Sequence, residues 1–231
     1  MRSLVLLSGG MDSAVALSWA TKGFPSDPVD AVTFNYGQRS WQQEIIAAKN
    51  VFNWFDLPGR HYFVTIPPTA FASDSSILGR TEVDQYSSAE DAVDNTPHDR
   101  SYIPFRNGIF ISISIHYLLA LSPIGGRIII GTRGRSDGGA PGFPDCTPQF
   151  AKSFTQTAST GAGVPVWVLD PLNAPEANTR AKTILYAKEL GCYDVLAYTV
   201  SCYNGNRCGK CLPCLRRAQA FAEVGMEDPA Q

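Results

Sequence analysis

Five short apolar runs, LVLL (4–7), DAVTFNY (30–36), HYFVTI (61–66), GRIIIGT (126–132) and VPVWVLDP (164–171), alternate with stretches of helical spacing. Those stretches are 12–22, 40–55, 107–122, 147–159 and 178–191. A strand followed by a helix returns to its sheet in parallel, through a right-handed crossover that covers one face. The run NGIFISISIHYLLALS (107–122) is β-branched enough for a strand, but its length favours a buried helix. The pattern predicts an α/β fold, a doubly wound parallel sheet with helices on both faces.

The 231 residues suffice for one well-packed core, and no internal repeat is visible. A net charge of -2 gives no basic excess, so direct nucleic-acid binding is not expected. The longest apolar run, 109–121, falls short of the ~18 residues a membrane helix needs and carries His116. The opening MRSLVLLSGG is too briefly apolar for a signal peptide. A cytoplasmic location is expected.

The first strand ends in SGGMDS (8–13), where a parallel strand feeds a helix. Ser8, Gly9 and Gly10 let the backbone approach an anion, the first amides of the helix point at it, and the Ser8 and Ser13 hydroxyls add donors. Asp12 caps the helix or binds Mg2+ beside phosphates. A bare Gly-Gly would read as a tight turn, but the full string S-G-G-x-D-S outweighs that reading. A second stretch, TRGRSDGGAPGFPDC (132–146), follows a later strand and belongs at the same ligand edge. The polar stretch 73–103 reads as a long insertion loop, either a surface insertion or an active-site lid.

Cys202, Cys208, Cys211 and Cys214 crowd together as C-x5-C-x2-C-x2-C, whereas Cys146 and Cys192 stand apart. Four thiolates with no open position suit a structural Zn2+, with an iron–sulfur cluster as the competing reading. Arg216 and Arg217 follow on a closing helix, aimed at the phosphates or at solvent. The chain thus divides into a nucleotide-binding α/β domain, 1–200, and a zinc knuckle with its closing helix, 201–231.

The string S-G-G-x-D-S resembles the pyrophosphate loop of the adenine-nucleotide α-hydrolases, which split ATP between the α and β phosphates. FNYGQR (34–39), IPFRNGIF (103–110), GFPDCTPQF (142–150) and SCYNGNRCGKCLPCLRRAQAF (201–221) resemble, in order, signatures of the 7-cyano-7-deazaguanine synthases. The resemblance implies an ATP-dependent ligase that uses ATP, Mg2+ and Zn2+. Such an enzyme adenylates 7-carboxy-7-deazaguanine, lets ammonia displace AMP, then activates the amide with a second ATP and dehydrates it to the nitrile. Asp12, Ser13 and Arg106 are the expected catalytic residues; Ser8, Gly9, Gly10, Asp12, Ser13 and Arg39 would hold the nucleotide. Tyr36, Gln38, Asn107, Phe143 and Asp145 would meet the planar base, and the four cysteines the metal. His61, His98 and His116 are scattered and receive no role. A homodimer is expected.

The chain departs from the family's usual pattern in SDGGAPGFPDCTPQF (136–150): two extra residues after Asp137, Phe143 for a tyrosine, Thr147 for an arginine and Gln149 for a glutamate. In NTRAKTI (178–184), Arg180 stands for a lysine and Lys182 for a glutamate. Two alternatives to the nitrile synthase stay open on these changes. One is a relative that stops at the amide or couples the activated base to an amine of a partner protein, as relatives in antiphage operons do. The other is a different activity of the superfamily, such as tRNA thiolation.

Overall fold

The computed structural model describes residues 1–94, 100–134 and 142–230. The two extra residues after Asp137 lie outside the described residues, as does His98.

Five parallel strands, β1 (Arg2–Leu6), β2 (Val29–Asn35), β3 (His61–Thr65), β4 (Gly126–Ile129) and β5 (Val166–Leu169), form one sheet in the order β3-β2-β1-β4-β5. Strand β1 is central, with Val5 opposite Ala31 on one side and Ile129 on the other. Its apolar run is continuous because both faces are covered. Leu4 and Ile128 point into one core, Val5 and Ile129 into the other, and none of the four is exposed at all. Burying each contributes roughly 1.5–3 kcal/mol.

One face is covered by α1 (Met11–Gly23) and α2 (Trp41–Trp54), with α6 (Arg180–Glu189) and α7 (Leu212–Glu223) packed on that side. The other is covered by α4 (Arg106–Leu121) and α5 (Pro148–Ala162). The β-branched run at 107–122 is therefore the buried helix α4, with Ile111 and Leu118 fully inside. Thr147 and Thr179 cap α5 and α6, accepting from the amides of Phe150 and Lys182 at 3.2 Å each.

Strand β4 ends at Ile129, earlier than the run GRIIIGT suggests, because the chain turns there toward the ligand edge. The insertion 73–103 carries structure of its own: a 3-10 turn at Ser76–Leu78 and the short helix α3 (Ala89–Asp94), which contacts α7. The Tyr86 amide donates to the Lys210 carbonyl at 3.0 Å, and Gln219 Nε2 to Glu90 Oε1 at 2.8 Å. No helix among the described residues is long and apolar enough to cross a membrane.

Candidate active site

Helices α1 and α4 lie on opposite faces of the sheet, so the chain reverses its direction of winding at β1 and β4. A crevice opens at such a point outside the carboxyl ends of the strands. Here it is a cavity of about 500 Å³, bounded by the β1–α1 turn, the end of β2, the start of α4 and the chain beyond β4.

The β1–α1 turn is held by its own hydroxyls. Ser13 Oγ donates to the Gly10 carbonyl at 2.9 Å and accepts from the Ser8 amide at 3.2 Å, and the two serine hydroxyls lie 3.1 Å apart. Gly9 adopts a φ of +79°, and a Cβ there would sit 2.5 Å from the Glu44 carbonyl oxygen. Glycine lets α2 pack against the turn; Ser8, Gly10, Asp12 and Ser13 face the cavity, while Gly9 is not among its lining residues. Asp12 lies in the first turn of α1, favourably placed against the helix dipole. Its Oδ2 accepts from Arg133 Nη2 at 3.0 Å, and its buried Oδ1 has no partner among the described residues.

The opposite wall is the start of α4. Arg106 Nη1 donates to the Tyr36 hydroxyl at 3.3 Å, with its guanidinium 5.8 Å from the Tyr36 and Phe110 ring centroids. Burial raises the pKa of Tyr36 and outweighs the opposing charge of Arg106, so the phenol keeps its proton. Behind this wall lies Asp145, which is buried. Its Oδ2 accepts from the Asn107 amide and its carbonyl from Asn107 Nδ2, each at 3.1 Å. Burial, reinforced by the Asp145 charge, pushes the neighbouring Cys146 thiol up to about 12, so it is neutral.

Thus Ser8, Gly10, Asp12, Ser13, Tyr36, Arg106, Asn107 and Phe143 border one cavity. Four of the expected residues do not: Gly9, turned toward α2, Asp145, buried behind the wall on Asn107, and the neighbours Gln38 and Arg39. Gln38 is buried in the β2–α2 turn, accepting from the Tyr36 amide at 2.9 Å and donating to the Phe34 carbonyl at 3.1 Å and Glu44 Oε2 at 2.8 Å. Arg39 points the other way, donating to the carbonyls of Ser76 at 3.0 Å and Thr81 at 2.8 Å. It pins the insertion rather than lining the cavity.

The sulfurs of Cys202, Cys208, Cys211 and Cys214 lie within 4.8 Å of one another. A tetrahedral zinc with Zn–S bonds of about 2.3 Å needs sulfurs roughly 3.8 Å apart, so the four fit one ion with small adjustments. Cys211 Sγ lies 3.9 Å from Cys202 Sγ, the Cys211 amide donates to Cys208 Sγ at 3.3 Å, and hydrogen bonding within the cluster holds the Cys214 thiol below its usual range. Tyr203, packed on the cluster, lines the cavity and donates to Ser101 Oγ at 3.0 Å. The Val200 amide donates to the Gly9 carbonyl at 2.9 Å, tying this segment to the β1–α1 turn. Of the two arginines on α7, Arg216 borders the cavity, whereas Arg217 is buried in a bidentate pair with Asp228, at 2.9 Å and 2.8 Å.

The family model described as "Queuosine biosynthesis protein QueC" matches residues 2–225. The chain belongs to this family. It is similar to the 7-cyano-7-deazaguanine synthase of Psychrobacter arcticus, at 34% identity over 98% of this chain and 88% of that one. The 7-cyano-7-deazaguanine synthase of Methanococcus maripaludis is 33% identical over 100% of this chain and 98% of its own. The chain thus spans nearly the whole of these relatives.

For this QueC-family chain the structure adds residues that sequence reasoning missed. Glu44, whose Oε1 accepts from Ser40 Oγ at 2.5 Å, borders the cavity, as does Arg133; Arg180, read above only as a departure from the family pattern, borders it too. Arg133 lies in the Gly/Pro-rich stretch assigned to the ligand edge, yet nothing in that stretch singles it out from Arg135.

Proposed function

We propose that the chain is an ATP-dependent 7-cyano-7-deazaguanine synthase that converts 7-carboxy-7-deazaguanine through the amide to the nitrile. The observation that carries this reading is one cavity bordered by both the Ser8–Ser13 turn and the Tyr36–Arg106–Asn107 wall, in a chain of this family. The turn suits phosphates and the wall suits a planar, hydrogen-bonding base.

A carboxylate is a poor electrophile. Its oxygen attacks the α-phosphorus of ATP, the α–β anhydride bond breaks, and pyrophosphate leaves with the bonding electrons. Charge grows on that leaving group, where the first amides of α1 and the cavity arginines stabilise it. Ammonia then adds to the acyl carbon, loses a proton, and AMP departs to leave the amide. A second adenylation, on the amide oxygen, and loss of AMP give the nitrile. The partnerless Oδ1 of Asp12 fits a Mg2+ ion accompanying the nucleotide, which would shield charge between phosphates. The four cysteines would hold a Zn2+ whose role is to keep the cavity wall folded.

The placement of three of the altered residues supports the nitrile over the amide or protein-conjugate readings. Thr147 caps α5, Gln149 is exposed, and Lys182 Nζ donates to the Pro175 carbonyl at 2.8 Å. Three of the changes thus lie away from the cavity, two of them with local structural uses, while Phe143 and Arg180 border it. The test is AMP release in the presence of ATP, ammonia and 7-carboxy-7-deazaguanine. Release should require the carboxylate and fall at least tenfold, roughly, in Asp12→Ala, as expected for loss of a charged contact. Release independent of the carboxylate would contradict the proposal.

A further inference from the structure

Beyond β4 the chain crosses directly over the start of α1. A Cβ on Gly131 would lie 2.8 Å from the Asp12 carbonyl and the Ser13 amide nitrogen, so only a glycine permits this approach. Three residues on, the backbone is pinned: the Gly134 amide donates to Asn173 Oδ1 at 2.5 Å, and the Gly134 carbonyl accepts from the Gly142 amide at 3.1 Å. Asn173 is in turn fixed through Nδ2 to the Cys146 carbonyl at 3.1 Å and Asp170 Oδ2 at 2.7 Å. Arg133 is thus carried on a supported backbone to the amino-terminal end of α1. There it pairs with Asp12 at 3.0 Å, its own side chain 8% exposed and that of Asp12 25%.

The partial positive charge at the amino end of α1 and the Arg133 guanidinium meet at this end of the cavity, and Asp12 balances them. Arg180 and Arg216 border the same space, with Glu44 as a further carboxylate. A guanidinium held at a helix amino terminus beside serine hydroxyls matches a phosphate chain better than a planar base.

We propose that Arg133 is the pyrophosphate-binding arginine of this site, with Asp12 as its counter-ion until a phosphate chain replaces it. The inference rests on the nucleotide reading above and assigns one residue within it. When phosphates occupy the turn, Arg133 transfers its hydrogen bond from Asp12 to a phosphate oxygen. The Asp12 carboxylate is thereby released for the cation that travels with the nucleotide. Asp12 and Arg133 then act as a coupled pair, each giving up the other for part of the same ligand.

The experiment is calorimetric titration of the full-length chain with metal-free inorganic pyrophosphate and, separately, with AMP. In Arg133→Gln, pyrophosphate affinity should fall about tenfold to a hundredfold, the scale of a charged hydrogen bond, with AMP affinity unchanged within about twofold. In Asp12→Asn, pyrophosphate should bind more tightly than in the wild type, and adding Arg133→Gln should abolish that gain. The paired variant removes both charges together, so the comparison of Asp12→Asn with Asp12→Asn/Arg133→Gln still decides the matter if Arg133→Gln alone fails to fold. Equal losses for pyrophosphate and AMP, or unchanged pyrophosphate affinity in both Arg133→Gln backgrounds, would overturn the assignment of Arg133. A wild-type chain that binds neither pyrophosphate nor ATP would instead overturn the nucleotide reading itself.

Discussion

His61 has a structural task. Its Nε2 lies 2.7 Å from Thr33 Oγ1, whose only proton goes to the Leu7 carbonyl at 2.5 Å, so the imidazole nitrogen is the donor. This chain of bonds links the edge strand β3 to the residue just before the phosphate turn. Burial, with the nearby charge of Lys49, lowers the His61 pKa to about 4. The unfolded chain takes up a proton near pH 6.5. Between these values it binds more protons than the native state, so stability declines as pH falls from about 6.5 to about 4. Urea midpoints measured across that range should show the decline, and His61→Gln should flatten it; an unaltered slope would contradict this role. Asp145 acts at the same scale. Removing its carboxylate leaves a buried amide at the start of α4 without its acceptor, at a cost of about 1.5–3 kcal/mol. Asp145→Ala should therefore lower the melting temperature by roughly 5–10 °C, and Asp145→Asn should recover most of the loss.

Elements were more legible than their edges. Strand runs such as LVLL, buried on both faces, and helices of 10 to 16 residues declare themselves through apolar continuity and length. Helix α3 did not, since AEDAVD carries little apolar periodicity and is placed by contacts with α7, far along the chain. The left-handed φ of +59° at Phe105, just before α4, is likewise invisible in a local pattern, because tertiary packing imposes it. The cysteine segment was readable from spacing because four cysteines set this close suit one tetrahedral ion. Elemental analysis should find about one zinc per chain, and Cys211→Ser should destabilise the fold as well as slow the reaction, because metal binding energy is folding energy. Stoichiometric iron in place of zinc would contradict the assignment.

For the molecule as a whole, the sheet order places the turn 8–13 and the described parts of the second ligand-edge stretch, 132–134 and 142–146, around one crevice, which sequence order alone could only suggest. Ser8, Asp12, Ser13, Tyr36, Arg106 and Asn107 converge there, each from a motif that could be read in isolation. Gln38 and Arg39 share a motif with Tyr36, yet the turn sends one inward to Glu44 and the other toward the insertion. A motif records which residues travel together, not which way each side chain faces. The Asp12–Arg133 pair joins residues 121 positions apart and left no trace in spacing. In the function proposed above, this cavity activates 7-carboxy-7-deazaguanine and carries it to the nitrile. The most direct test is mass spectrometry of the product formed from ATP, 7-carboxy-7-deazaguanine and ammonia, with AMP counted alongside. Two adenylations require two AMP for each nitrile, with the amide appearing first and then being consumed. An amide that accumulates without conversion, or a substrate recovered unchanged with no AMP released, would contradict the proposed function.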